Sequence, residues 1–226
     1  MKREHDSILG FVTGASVNFW FMHSVVNLFK VDKEDRFNAD YLLCFGPYIH
    51  QNRNRLAADF MDIDREWLLM VDNDIVFLPE DVWALFEEAE KRGPGIYSAP
   101  YMLENGVLVC GPWDSEVPYV YHPMVSLPAK PREVGVVGAG FTLVHKDVFT
   151  AIGEDWFTAL TADAGEDVSF CWRAKEHGFL PWLVPEANPG HFKQVAIFPH
   201  EQVRNMIGEE VNLVQAEQRV AEEVKQ

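Results

Sequence analysis

Runs of apolar residues alternate with segments of helical spacing along the first part of the chain. Each run is short, continuous and bounded by polar or turn-forming residues, which is typical of strands buried on both faces of a parallel sheet. The strands predicted in this way cover residues 8–13, 41–45, 67–71 and 96–99. The helices predicted between them cover residues 17–30, with Ser16 as N-cap, 49–63 and 79–92, and the first is expected to be largely buried. This alternation predicts an α/β fold with a Rossmann-like, mostly parallel central sheet flanked by helices.

The second half of the chain is less regular. Residues 100–133 are rich in proline and aromatic residues, which predicts an irregular or hairpin-rich insertion with short strands at 107–110 and 117–121. The elements predicted beyond it are a glycine-punctuated strand at 134–144, helices at 146–152 and 167–177, and a strand at 182–184. A charged amphipathic helix is predicted last, with its apolar face formed by Val203, Ile207, Val211 and Val214. We therefore expect a domain at 1–199 and a C-terminal helix at 200–226, which pairs with a second copy or lies on its own domain.

Composition and charge narrow the classes of function. The chain has 35 acidic and 19 basic residues, and the resulting net charge of −16 opposes a general affinity for nucleic acid. The cysteines Cys44, Cys110 and Cys171 have neither a disulfide-type nor a metal-type spacing, so we expect a reducing, cytoplasmic compartment. The apolar segment at 8–29 is interrupted by polar residues and lacks a cleavage pattern, so neither a signal peptide nor a membrane span is predicted.

An acidic motif follows the third predicted strand directly. Asp72, Asn73 and Asp74 interrupt an apolar run that ends at Val71 and resumes at Ile75. Open α/β sheets bind their ligands at the carboxyl ends of the strands, and two carboxylates so placed can share one hard cation. The motif therefore predicts a divalent metal held against a substrate diphosphate, although strand-end acids also cap following helices.

Three further motifs carry candidate chemistry. Glu166 and Asp167 begin a helix, where the dipole alone favours acids and where one carboxylate could also act as a general base. His191 could complete the coordination of a cation held by Asp74, and Lys193 could meet a phosphate. Arg53 suits recognition of a diphosphate, with a solvated helix face as the alternative of equal weight.

These motifs, in this order, resemble those of the GT-A-type nucleotide-sugar glycosyltransferases, particularly the large inverting family with a single Rossmann-like domain. The resemblance covers residues 8–193. Its elements are the strand-turn ending in Thr13-Gly14, Arg53-Asn54, the D-x-D motif at Asp72-Asn73-Asp74, the acceptor-side strand beginning Gly138-Ala139-Gly140-Phe141, the acidic pair in Gly165-Glu166-Asp167, and Gly190-His191.

The resemblance implies a role for each matching residue. Mn²⁺ or Mg²⁺ would be held by Asp74 and His191, with Asp72 near the metal or the ribose. Asp167 would be the catalytic base, and Glu166 would orient the acceptor or the base. The donor would be a nucleotide-diphosphate sugar, most simply a UDP-sugar, and the residues assigned to the nucleotide and its phosphates are Thr13, Gly14, Arg53, Asp72, Asn73 and Lys193.

The sequence departs from the family pattern at the end of the second strand. Many relatives carry an acid there that reads the nucleobase, whereas this chain has Leu43-Cys44-Phe45-Gly46. The Q-x-x-R-W signature and membrane helices of processive synthases are absent from the sequence, which favours a single transfer. The acceptor is left open between a glycan, a lipid-linked sugar, a protein and a modified nucleobase. The alternatives are a retaining transferase, a nucleotidyltransferase, whose basic loop after the first strand is missing, and a non-catalytic nucleotide- or carbohydrate-binding module.

Overall fold

Eleven strands and five helices are present in the computed structural model, which describes residues 6–14, 16–32, 35–103 and 106–193. The strands are β1 Ser7–Thr13, β2 Tyr41–Phe45, β3 Trp67–Asp72, β4 Ile75–Val76, β5 Ile96–Ser98, β6 Cys110–Gly111, β7 Arg132–Glu133, β8 Val136–Val137, β9 Phe141–His145, β10 Trp182–Leu183 and β11 Gly190–His191. The helices are α1 Phe19–Val31, α2 Ile49–Met61, α3 Pro79–Arg92, α4 Lys146–Ile152 and α5 Glu166–Glu176.

Seven of the strands form a central sheet in the order β2-β1-β3-β9-β5-β10-β7. The pairs β1–β2, β1–β3 and β5–β10 are parallel, and β9 runs antiparallel between β3 and β5. Two small antiparallel sheets, β4–β11 and β6–β8, lie beside it. The predicted fold class, a mostly parallel sheet flanked by helices with a small antiparallel portion, is confirmed.

The central strands are continuously apolar because both faces of the sheet are covered. Leu68 and Met70 of β3 belong to a core shared with α2, α4 and α5. Leu69 and Val71, pointing to the opposite face, belong to a second core shared with α1 and α3. Burial on both faces removes the apolar and polar alternation that a half-exposed strand would show.

Helix α1 differs from its prediction in its start and in its burial. The N-cap is Asn18 rather than Ser16, since the Asn18 side chain accepts a hydrogen bond of 2.8 Å from the backbone N–H of Trp20. The helix is amphipathic rather than largely buried: Phe21 and Leu28 pack on the sheet, but Phe19 is 70% exposed. The apolar residues of this segment lie on two sides of the helix, and only one of these sides packs against the core.

The predicted strand at 134–144 is two strands joined by a glycine-rich turn. Strand β8 ends at Val137, and β9 begins only at Phe141. The hydroxyl of Thr142 donates to the Gly138 carbonyl at 2.8 Å, which holds the turn against the start of β9. A Cβ atom at Gly138 would overlap the phenolic oxygen of Tyr101. The turn therefore places the backbone so close to Tyr101 that only glycine fits at this position. The strand expected at 117–121 is likewise absent, and only an isolated bridge joins Trp113 to Tyr121.

Residues 194–226 lie outside the described part of the chain. The predicted C-terminal helix, its proposed pairing with a second copy and the domain boundary at 199 all fall there and stay predictions. In the described ranges, none of the helices combines the length and the apolar character needed to cross a bilayer.

The Gly138 turn gives a test of the fold. We expect Gly138→Ala to lower the free energy of unfolding by about 1–3 kcal/mol, because the added methyl overlaps Tyr101. Gly14→Ala is the matched control, since a Cβ there meets no described atom within 4 Å, and it should change stability by less than about 1 kcal/mol. Urea denaturation measures both, and equal values for the two variants would contradict this account of the turn.

Candidate functional site

The carboxyl ends of β1 and β3 form one rim of the sheet. Val12 pairs in register with Asp72, so Thr13 and Asn73 follow at the same level. The Asn73 amide donates to Thr13 Oγ1 at 2.9 Å and to the Ser16 carbonyl at 2.8 Å, which ties Thr13 and Ser16 to the end of β3. Gly14 lies in this loop with open space on its Cβ side, within the described residues. The structure thus brings together Thr13, Gly14 and Asn73, which the sequence assigned to the nucleotide.

The β4–β11 ladder carries the second part of the site. His191 pairs with Ile75, and the backbone N–H of Phe192 donates to the Asp74 carbonyl at 2.7 Å. This short sheet brings the imidazole of His191 to Asp74 from 117 residues further along the chain, with 3.1 Å between Nε2 and Oδ2. The predicted meeting of these two residues is therefore present in the structure.

The contacts of His191 define which nitrogen is available. Nδ1 lies 2.8 Å from the Met102 carbonyl, which only accepts, so Nδ1 carries a proton and donates. Nε2 then faces the Asp74 carboxylate. A hydrogen bond from the far ring nitrogen to a carbonyl is the usual support of a metal-binding histidine.

Two ligands at right angles around a small divalent cation stand about 3 Å apart, since Mg²⁺ bonds are about 2.1 Å long. The 3.1 Å between Asp74 and His191 fits that spacing. Among the described residues, however, no group of three or more His, Cys, Asp or Glu side chains is placed to hold a metal ion. The pair thus fits a cation that takes its other ligands from water and substrate phosphates, as Mg²⁺ commonly does.

A buried arginine forms the third part of the site. Arg53, in α2, is only 2% exposed. Its Nη1 donates to Glu166 Oε1 at 2.8 Å and also to Asp167 Oδ1, and its Nη2 donates to the two carboxylate oxygens of Asp72 at 2.9 and 3.1 Å. The guanidinium is therefore turned towards three carboxylates, and a diphosphate contact for it stays a prediction. We call Arg53, Asp72, Glu166 and Asp167 the acidic cluster.

Within the acidic cluster, the pKa values of Asp167 and Arg53 are shifted. Burial raises the pKa of Asp167 to about 7; Arg53 opposes this shift, while Glu166 and Asp72 add to it. Burial would lower the pKa of Arg53, but the three carboxylates outweigh it and hold that pKa well above its ordinary value. Asp167 is therefore a carboxyl that changes its charge near neutral pH, as a general base requires.

Sequence reasoning missed Tyr101, which contacts both His191 and the backbone at Gly140. Its hydroxyl accepts a 3.2 Å hydrogen bond from the backbone N–H of Gly140, and its ring packs edge-on against His191 with 5.3 Å between centroids. Burial raises its pKa well above the ordinary value, and the charges of Asp167 and Asp72 raise it further, so it remains a neutral phenol. The sequence carried no signal for it beyond an aromatic residue after β5.

Two other residues of the resemblance motifs have different outcomes. The Asn54 side chain accepts a 2.7 Å hydrogen bond from the backbone N–H of Phe157 and donates to Thr158 Oγ1 at 3.0 Å, which ties α2 to the loop preceding α5. Lys193 is the last described residue of the chain, and a phosphate contact for it stays a prediction.

No family model matches the chain, and no curated protein matches it in sequence. Its fold is similar to that of A197 from STIV, with a TM-score of 0.60 and 18% identity, over 83% of this chain and 86% of that one. It is also similar to GalNAc-T7, solved with UDP, GalNAc and Mn²⁺, with a TM-score of 0.59 and 12% identity over 86% of this chain. The chain spans 45% of the GalNAc-T7 chain. These similarities establish a GT-A-like fold and leave the activity to be argued from the site.

The charge state of Asp167 can be measured directly. We expect its carboxyl ¹³C signal to titrate near pH 7, because burial and the neighbouring acids outweigh Arg53. The signal is assigned by its loss in Asp167→Asn. A midpoint near pH 4, the ordinary value for an aspartate, would contradict the electrostatic account of the acidic cluster.

Proposed function

We propose that the chain is a metal-dependent glycosyltransferase that moves one sugar from a nucleotide-diphosphate sugar, most simply a UDP-sugar, to an acceptor hydroxyl with inversion. The observation that carries this proposal is the convergence, at one rim, of the carboxylate–imidazole pair Asp74–His191 and the partly buried carboxyl of Asp167, whose pKa is raised to about 7. The GT-A-like fold supports it, as does the presence of UDP, GalNAc and Mn²⁺ in the GalNAc-T7 structure.

The rim of β1 and β3 forms the donor side in this proposal. Thr13, Gly14 and Asn73 line the place of the nucleotide, because Asn73 holds Thr13 at the carboxyl ends of the strands and the space beside Gly14 is open. Asp74 and His191 would hold Mn²⁺ or Mg²⁺. When bound, such an ion supplies neutralisation of the charge that develops on the departing diphosphate.

Asp167 provides the base on the acceptor side. Its carboxylate accepts the proton of the acceptor hydroxyl as that oxygen forms a bond to the anomeric carbon. The bond from the anomeric carbon to the diphosphate oxygen breaks on the opposite face, and the diphosphate leaves with the bonding electrons. Glu166, beside Asp167 on α5 and bound to the same guanidinium, orients the base.

The donor side generates a prediction on metal-dependent binding. We expect UDP with Mn²⁺ to stabilise the protein by about 2–3 kcal/mol at a hundredfold excess over Kd. Asp74→Asn should remove the Mn²⁺-dependent part, since it replaces a charged ligand by a neutral amide. Asp62→Asn is the control, because Asp62 is exposed at the end of α2, by the opposite edge of the sheet. Thermal unfolding measures each shift, and an undiminished shift in Asp74→Asn would rule out this cation site.

The acceptor side generates a prediction on turnover. Asp167→Asn should lower kcat by about 10²–10⁴-fold, the usual contribution of a general base, while keeping the stabilisation by UDP and Mn²⁺. In the wild type, kcat/KM should fall as the pH drops below about 7, because the carboxyl is then protonated and cannot accept a proton. Release of UDP from UDP-sugars, with chiral analysis of the product sugar, provides the measurement. An active Asp167→Asn enzyme would exclude this base, and a retained anomeric configuration would exclude inversion.

A further inference from the structure

We propose that Arg53 is a positioning residue, which holds the donor-side carboxylate of Asp72 and the base Asp167 in one fixed arrangement. Its function in turnover rests on the proposed glycosyl transfer, whereas the arrangement itself is a property of the folded chain. Arg53 would act through the carboxylates that it binds, with no contact of its own to the substrate.

The hydrogen-bond capacity of Arg53 carries this inference. Nη1 donates to Glu166 and to Asp167, and Nη2 donates to the two oxygens of Asp72, which lie so close together that they share one N–H. The remaining Nε is buried and has no partner among the described residues. Three carboxylates already occupy the two Nη atoms, so the contacts favour a role in holding these acids over the predicted role in diphosphate binding.

The planar fork of arginine suits this task. The two Nη atoms stand at a fixed distance and angle, so the carboxylates bound to them are fixed relative to each other. Asp72 lies at the end of β3 and Asp167 in the first turn of α5, elements that the chain brings together only through tertiary structure. A lysine at this position could keep the charge, but its single ammonium cannot bind both sides in the same geometry.

The energetic cost of the acidic cluster indicates that Arg53 does more than stabilise the fold. Three carboxylates surround one guanidinium, and the exposed fractions of their side chains are only 19–23%. Buried ion pairs are weak contributors to stability, because desolvation offsets their attraction. An unpartnered Nε adds a further cost. What Arg53 provides, and an apolar residue at the same position would not, is a fixed placement of Asp72, Glu166 and Asp167.

The test compares Arg53→Lys with a matched control, Arg36→Lys. Arg36 is also buried, at 5% exposure, and pairs with Asp6 and Glu90 beside the start of β1, at the opposite edge of the sheet. Arg53→Lys should lower kcat for UDP-sugar turnover about a hundredfold, since small misplacements of reacting groups have effects of that size. Its KM and its stabilisation by UDP with Mn²⁺ should stay within about threefold of the wild type. Arg36→Lys should keep kcat even where it lowers stability.

Two outcomes would overturn the proposal. A raised KM and a lost UDP shift with unchanged kcat would make Arg53 a phosphate ligand instead. An equal loss of kcat in Arg36→Lys would mean that the loss in Arg53→Lys comes from lower stability of the fold and not from misplaced carboxylates.

Crystal structures of the ligand-free wild type and Arg53→Lys separate this proposal from the proposed function, because they need no turnover. We expect the carboxylates of Asp72 and Asp167 to move apart in Arg53→Lys. Unmoved carboxylates would overturn the positioning role even if the enzyme is active. A protein that releases UDP from no UDP-sugar would instead defeat the proposed transfer and leave the positioning role to be decided by the structures.

Discussion

The antiparallel pairing of β9 between β3 and β5 is the constraint on which the site depends. Five residue pairs join β3 to β9, and the backbone N–H of Asp72 continues the ladder with a 2.9 Å hydrogen bond to the Gly140 carbonyl. A Cβ atom at Gly140 would lie 3.0 Å from Asp72 Oδ2 and from the Tyr101 hydroxyl. Strand β9, which joins β3 to β5, therefore also sets the distances between the Asp72 carboxylate, the Tyr101 hydroxyl and the backbone at Gly140. Because the contacts are this close, glycine is the residue that fits there.

The second constraint is electrostatic. Asp72, Asp74, Glu166 and Asp167 converge on one edge of an apolar sheet, in a chain that already has a net charge of −16. Arg53 offsets part of this charge, while burial, with Glu166 and Asp72, raises the pKa of Asp167 to about 7. Carboxylates with too little positive charge around them favour either protonation or a cation. The acidic cluster and the Asp74–His191 pair are in this sense complementary. The cluster raises the pKa of Asp167, and the pair has ligands suited to a metal ion.

Local signals explain which elements the sequence could predict. Helix α3 matches its prediction at both ends, because Pro79 begins it, two acids lie in its first turn and Gly93 ends it. Strands β4 and β11 could not be found in this way, since each has two residues and exists only through its partner. The order of motifs brought Asp74 and His191 together correctly, but spacing along the chain cannot reveal that Arg53 meets acids 113 and 114 residues later. Side-chain direction within a tertiary cluster is determined by packing that no local pattern encodes.

The position of Asp167 bears on whether the site binds or transforms its ligand. A nucleotide-binding module needs the rim at Thr13 and Asn73 and a pair of groups for a cation, and both lie on the donor side. Such a module does not need the carboxyl of Asp167 partly buried beside two other acids, because burial of charge opposes folding. A base that must accept a proton near neutral pH gains its raised pKa from that same burial. The raised pKa of Asp167 is therefore the feature on which the proposed transferase and a nucleotide-binding module differ, since only the transferase makes use of it.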